Sequence, residues 1–163
     1  AMLITVGIKL AHPKEFFHIF KIGKEQLAIF VVTIFFTLFE DLLVGIAAGI
    51  LLKMIIHLFN GASIKSLFKI PATVSFNDND YLVEVEQAAV FSNYLGLKSK
   101  LEAIPQGMNV VLNFAKTKLV DHSVLENIHH FQHDYIEDGG TFKIVGLDEH
   151  KPLSEHELAA RKK

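Results

Sequence analysis

Cysteine is missing from all 163 residues, which excludes a disulfide framework and any thiol chemistry and fits a reducing compartment. The glycine pattern of a phosphate-binding loop, a zinc-hydrolase signature and a nucleophile–base pairing are also missing, so the sequence points away from an enzyme and calls for no cofactor. It offers no basic patch for nucleic acid. Nor is there a secretory signal: Ala1–Ile8 is apolar but lacks a basic start and a small-residue cleavage site. The chain reads as beginning inside a hydrophobic segment, as part of a longer protein.

Charge is scarce where apolar residues are dense. Leu27–Phe39 (LAIFVVTIFFTLF) has no charged residue, and Leu42–Ile56 (LLVGIAAGILLKMII) has only Lys53. Residues 1–70 carry seven lysines against four carboxylates, whereas the rest carries nine basic and fourteen acidic residues. The overall balance of −2 therefore averages a basic, Phe-rich first part and an acidic, ordinary-looking second part.

A helix needs about 20 apolar residues to cross a hydrocarbon core of roughly 30 Å. Extended to Glu25 and to Phe59, the two runs come close to that length. Both are apolar all round, which is the mark of a helix without a solvated face. Two short transmembrane helices are therefore expected over 25–59. Lysines flank the pair at Lys9, Lys14, Lys21, Lys24, Lys65 and Lys69, while only Glu40 and Asp41 separate the runs. The positive-inside rule then puts both ends in the cytoplasm and the Glu40–Asp41 turn outside. Asp41 and Glu40 suit a helix cap, where negative charge meets the positive end of the dipole. Gly45 and Gly49 form a small-xxx-small face suited to close packing, expected within one subunit. Before the pair, residues 1–24 hold the end of a membrane helix and then an amphipathic stretch, in which Phe16, Phe17, Ile19 and Phe20 alternate with Lys14, His18, Lys21 and Lys24.

Residues 60–71 read as a linker ending at Pro71, and 72–163 as a soluble α/β domain. Strands are expected at Ala72–Phe76, Tyr81–Gln87, Asn109–Phe114 and Thr141–Val145, with a turn at Asn77–Asp80. Helices are expected over Ser92–Ile104, Ser123–Asp138 and, as a polar terminal piece, Leu153–Lys163. The order β-β-α-β-α-β-α implies a mixed four-stranded sheet with helices packed on it. Ser123 and Glu126 have capping-box spacing, so Ser123→Ala should cost about 1 kcal/mol. Val124, Leu125, Ile128, Phe131, Tyr135 and Ile136 form the helix's apolar face. His122, Glu126, His129 and His133 step along the other side, which is normally just solvated, so no metal site is expected there.

The strand-to-helix segment LNFAKTKLVDHSVLENIHHF (112–131) resembles the STAS domain of sulfate permease (SulP) transporters and bacterial anti-sigma-factor antagonists. VGLDEHKPLSEHELAARKK (145–163) is similar to that domain's end in bacterial permeases, and TLFEDLLVGIAAGILL (37–52) to their last membrane hairpin. The resemblance implies the end of a multi-pass anion transporter of the bacterial inner membrane, with a cytoplasmic domain serving regulation, assembly or trafficking. It implies membrane lipid around the helices, a homodimer, and a cytoplasmic protein or nucleotide as the domain's partner. The anion site lies on helices outside this chain. In the antagonists the turn reads Asp-Ser-Ser/Thr-Gly and its hydroxyl is phosphorylated. Here Asp121 matches, His122 replaces a hydroxyl residue, Val124 replaces the glycine, and Ser123 remains as the candidate regulatory hydroxyl. The competing readings are a membrane-tethered STAS signalling module without transport, and a soluble domain whose apolar hairpin is an oligomerisation surface.

Overall fold

The computed structural model describes residues 13–77 and 80–163. The apolar start at 1–8 and the centre of the 77–80 turn lie outside the described residues. The chain divides into two units: residues 1–56 with 154–159, and residues 57–153 with 160–163.

The first unit is helical. Helix α1 spans Pro13–Ile22, α2 spans Lys24–Phe39, and α3 spans Leu42–Phe59, its last three residues belonging to the second unit. The expected apolar runs are thus both helices. At about 1.5 Å per residue, α2 is roughly 24 Å long and α3 roughly 27 Å. Among the described residues, only α3 is long and apolar enough by itself to cross a membrane. The Phe16 and Phe30 rings meet edge to face, 5.0 Å apart, joining α1 to α2. Gly45 and Gly49 of α3 are buried against α2. A Cβ on Gly45 would clash with Thr37 Oγ1 and stand 2.8 Å from the Thr33 carbonyl oxygen, and one on Gly49 would clash with Thr33 Oγ1. Thr33 keeps its hydroxyl satisfied by donating to the Ile29 carbonyl at 2.8 Å. Between the helices, Asp41 Oδ1 accepts the Val44 N–H at 2.9 Å, as a cap should. Glu40 ends α2, its own N–H donating to the Phe36 carbonyl.

The second unit is a sheet packed with helices. Strands β1 (Ala72–Asn77) and β2 (Asp80–Val85) form the expected antiparallel hairpin, in register from Ala72↔Val85 to Asn77↔Asp80. Strands β4 (Asn109–Asn113) and β6 (Thr141–Val145) add in parallel, giving the order β1-β2-β4-β6. Each parallel step is made through a helix, because the chain must return to the same end of the sheet. The helices are α5 (Tyr94–Glu102) and α6 (His122–Glu137). Alternation on β4 buries Val110 and Leu112, and the helices contribute Leu97, Leu101, Val124, Leu125 and Ile128, all at most 1% exposed.

Four features depart from expectation. A second small sheet, ordered β3-β5-β8-β7, uses strands too short to show periodicity: Gln87–Ala89, Thr117–Val120, Arg161–Lys162 and Lys151–Pro152. The terminal helix over Leu153–Lys163 does not form. Pro152 pairs with Arg161, which in turn pairs with Val120, so backbone groups a helix would have used are committed to strands. The 60–71 linker is not a passive tether either: it holds helix α4 (Ile64–Phe68) and buries Ala62, Ser66, Leu67 and Ile70. Finally, Ile136 sits 49% exposed, off the apolar face of α6 on which it was expected.

Candidate functional site

The turn from β5 into α6 positions the sequence's main candidates, and its organiser is Asp121. Its backbone N–H donates to the Ala89 carbonyl at 3.0 Å, which fixes the turn on β3. Its buried side chain then divides its two oxygens: Oδ1 accepts the Val124 N–H at 2.7 Å, while Oδ2 accepts the Phe91 N–H at 2.9 Å. Oδ2 also lies 3.4 Å from His57 Nε2. His57 belongs to the last turn of α3, is 4% exposed, and stacks obliquely on the Phe91 ring at 5.9 Å.

This corrects the expected cap. Asp121, with extended backbone, is the N-cap residue, and Ser123 lies inside the first turn of α6. A capping box between Ser123 and Glu126 therefore does not exist. Sequence admits either residue as a cap, because Asp and Ser are comparably good ones. Tertiary contact decides, since only Asp121 can also reach Phe91 and His57. Ser123 is half-buried, and its carbonyl accepts the Asn127 side-chain amide at 2.7 Å. His122 is buried rather than part of a solvated stripe, with Nε2 3.9 Å from the exposed Glu126 carboxylate. His133, at the other end of the expected stripe, groups instead with Asp134 and Glu137 on the exposed end of α6. Exposed groups of that kind commonly occur without an ion.

Sequence reasoning missed His57, Phe91 and Asn93. Asn93, 2% exposed, donates through Nδ2 to the Ser66 and Ala88 carbonyls and accepts the Val90 N–H at 3.0 Å. It thereby ties α4, β3 and α5 together. The only sequence hint for His57 was a lone imidazole closing an apolar run. Chemically, an Asp121 with both oxygens occupied is an organiser of the turn, not a free base.

A separate cleft of about 350 Å³ opens between α5 and α6, lined by Tyr94, Leu101, Phe131 and Tyr135 among others. Tyr135 Oη donates to the Pro105 carbonyl at 3.0 Å. Burial pushes both phenols above their ordinary 10.0, with the Glu102 carboxylate adding to the effect at Tyr94.

No family model matches the sequence, and no curated protein does. Solved structures do. The chain is similar to a STAS domain and to part of an anion transporter. The STAS-domain anti-sigma-factor antagonist of Rhodobacter sphaeroides aligns over 53% of this chain and 96% of its own, at 15% identity and a TM-score of 0.40. Murine Solute Carrier 26 family member A9, an anion transporter in the inward-facing state, aligns over 84% of this chain but 25% of its own, at 12% identity and a TM-score of 0.36. A protein described as Mglu aligns over 67% of this chain and 27% of its own, at 17% identity and a TM-score of 0.46. The chain thus spans about a quarter of the length of the transporter and of Mglu.

Proposed function

We propose that this chain is the C-terminal part of a SulP-type secondary transporter for sulfate-like or other small anions, its α/β unit serving regulation or assembly. One observation carries the reading. An apolar helix with a largely exposed surface runs directly into an α/β unit whose β1-β2-β4-β6 sheet and two crossover helices follow the order expected up to the last strand. The order of those two halves, with the sequence segments at 37–52, 112–131 and 145–163, supports the permease family over an isolated soluble domain. In this reading α2 and α3 lie in the bacterial inner membrane, and the α/β unit is cytoplasmic. The protein is a homodimer, not an enzyme, and its anion binds outside this chain. The turn at Asp121, His122 and Ser123 is the element through which a cytoplasmic partner or nucleotide acts, with half-buried Ser123 its most accessible member and buried Asp121 and His122 holding it in place.

The test is uptake of labelled sulfate, bicarbonate and dicarboxylates into vesicles holding the full-length protein. Saturable uptake of one of them is expected. Correctly inserted protein that moves none would favour a membrane-tethered signalling module instead. Orientation is checked with single cysteines in a chain that has none of its own. An impermeant reagent added outside should label Glu40→Cys and spare Asp148→Cys, and the reverse pattern would overturn the topology.

A further inference from the structure

Helix α4 is short, and its two sides differ sharply. Ser66 and Leu67 point into the α/β unit, at 3% and 1% exposure. Ile64, Lys65, Phe68 and Lys69 are all exposed, Ile64 at 67% and Phe68 at 70%. Within α4 the spacing i, i+1, i+4 sets Ile64, Lys65 and Phe68 side by side on one helical face, and exposed Lys69 follows directly at the C-cap. This face cannot shift easily. Ser63 caps the helix by accepting the Ser66 N–H at 3.2 Å, and Ser92 Oγ donates to the Leu67 carbonyl at 2.6 Å. The Asn93 side-chain amide holds the Ser66 carbonyl as well. Phe59, closing α3 five residues before Ile64, is 84% exposed.

Exposed Phe and Ile beside lysine is an unfavourable surface for water and a good one for the boundary of a bilayer. There the rings enter the acyl region, while lysines remain at the headgroups. Charge selects the kind of bilayer. Between Asp41 and Asp78 the sequence has no carboxylate at all, and its charged residues are Lys53, Lys65 and Lys69. We infer that the α4 face formed by Ile64, Lys65, Phe68 and Lys69, with Phe59, docks on an anionic lipid surface. The α/β unit is then a membrane-seated body rather than one hanging free on a tether. This rests on the reading of α3 as a membrane helix, since the docking face follows α3 directly in the chain.

The test uses the full chain reconstituted in phosphatidylcholine vesicles with and without phosphatidylserine. Single cysteines at Phe68→Cys, Ile50→Cys in mid-α3 and Glu137→Cys on exposed α6 carry an environment-sensitive dye. Quenching by nitroxide lipids and by aqueous iodide is then compared. The Phe68 label should be quenched by shallow nitroxide lipid and shielded from iodide, more strongly with phosphatidylserine, while the Glu137 label is open to iodide. Each lysine near an anionic surface is worth about a fivefold change in partitioning. The pair Lys65→Gln and Lys69→Gln should therefore lower the docked-to-undocked ratio roughly 25-fold in the anionic vesicles. A Phe68 label open to iodide while the Ile50 label is lipid-quenched would overturn the docking and leave the membrane helix standing. If neither label is lipid-quenched, both readings fall. A Phe68 label shielded from both quenchers would mean that protein covers the face, which also overturns the inference.

Discussion

The two units spend the same kinds of side chain in opposite ways. In the helical unit, Leu38, Phe39 and Leu43 stand more than 70% exposed. In the α/β unit, Val83, Leu97, Leu112 and Ile128 are wholly covered. Exposed apolar surface of that extent is rare on a soluble monomer and marks a region that meets another apolar phase. The core of the α/β unit needs no such phase, because its sheet and helices cover one another; its large exposed apolar side chains include Phe59, Ile64 and Phe68 at and near α4. Hydrophobicity alone therefore says little about burial. What separates the units is periodicity: α6 has one apolar side and one polar side, whereas α2 and α3 are apolar all round.

The sharpest way to break this comparison is at Asp121. Replacing it with Ala removes the α6 cap and the buried acceptor of the Phe91 N–H beside His57, which should cost the α/β unit about 3 kcal/mol. Thermal melting followed by circular dichroism would show it. Ser123→Ala, by contrast, should cost clearly less, about 1 kcal/mol at most, because Ser123 lies past the cap and is only half-buried. An equal loss from the two would restore the capping box. In the helical unit, Ile50→Lys should leave the α/β melt unchanged yet oppose membrane insertion by about 3 kcal/mol, measured by glycosylation mapping in microsomes. Improved solubility with no change in membrane association would instead mark α3 as a soluble helix.

A smaller effect is expected at Gly45. A methyl group there meets Thr37 and the Thr33 carbonyl, and forcing it in should cost about 2 kcal/mol of hairpin stability. Denaturation in detergent, or protease sensitivity of the Glu40–Asp41 turn, would report it. The smallest effect belongs to Glu149, whose carboxylate meets Lys163 Nζ at 2.5 Å. The hydrogen bond and charge of Lys163 hold its pKa below the ordinary 4.5. A lowered folded-state pKa gives stability that is present above the unfolded value and lost as pH falls through the folded one. Glu149→Gln should thus lower the melting temperature slightly at neutral pH and flatten the acid side of the profile, the variant and the parent converging as pH falls through the folded-state pKa.

Long, strongly patterned elements were legible in the sequence. The β1–β2 hairpin, β4, β6 and helices α2, α3, α5 and α6 all fall where hydrophobic spacing puts them. The small second sheet was not, because strands of two to four residues carry too few side chains for a period to appear. Leu153–Lys163 misleads for a related reason: its scattered Leu153, Leu158 and Ala159 mimic a weak helix. The pairing of Arg161 with Val120 that overrides it is invisible locally. The candidate turn was found, but its helix cap was assigned to Ser123 rather than Asp121. Asp121 outranks Ser123 only through partners far along the chain.

The placement of His57 has a practical consequence for anyone dividing this protein. A fragment cut at Ala72, where the composition changes, would discard the imidazole beside Asp121, the Leu67 side chain and the carbonyls that hold Ser92 and Asn93. It would be expected to express as a loosened, aggregation-prone domain. Cutting upstream of His57 retains those partners, at the cost of carrying three residues that the helix and the domain share.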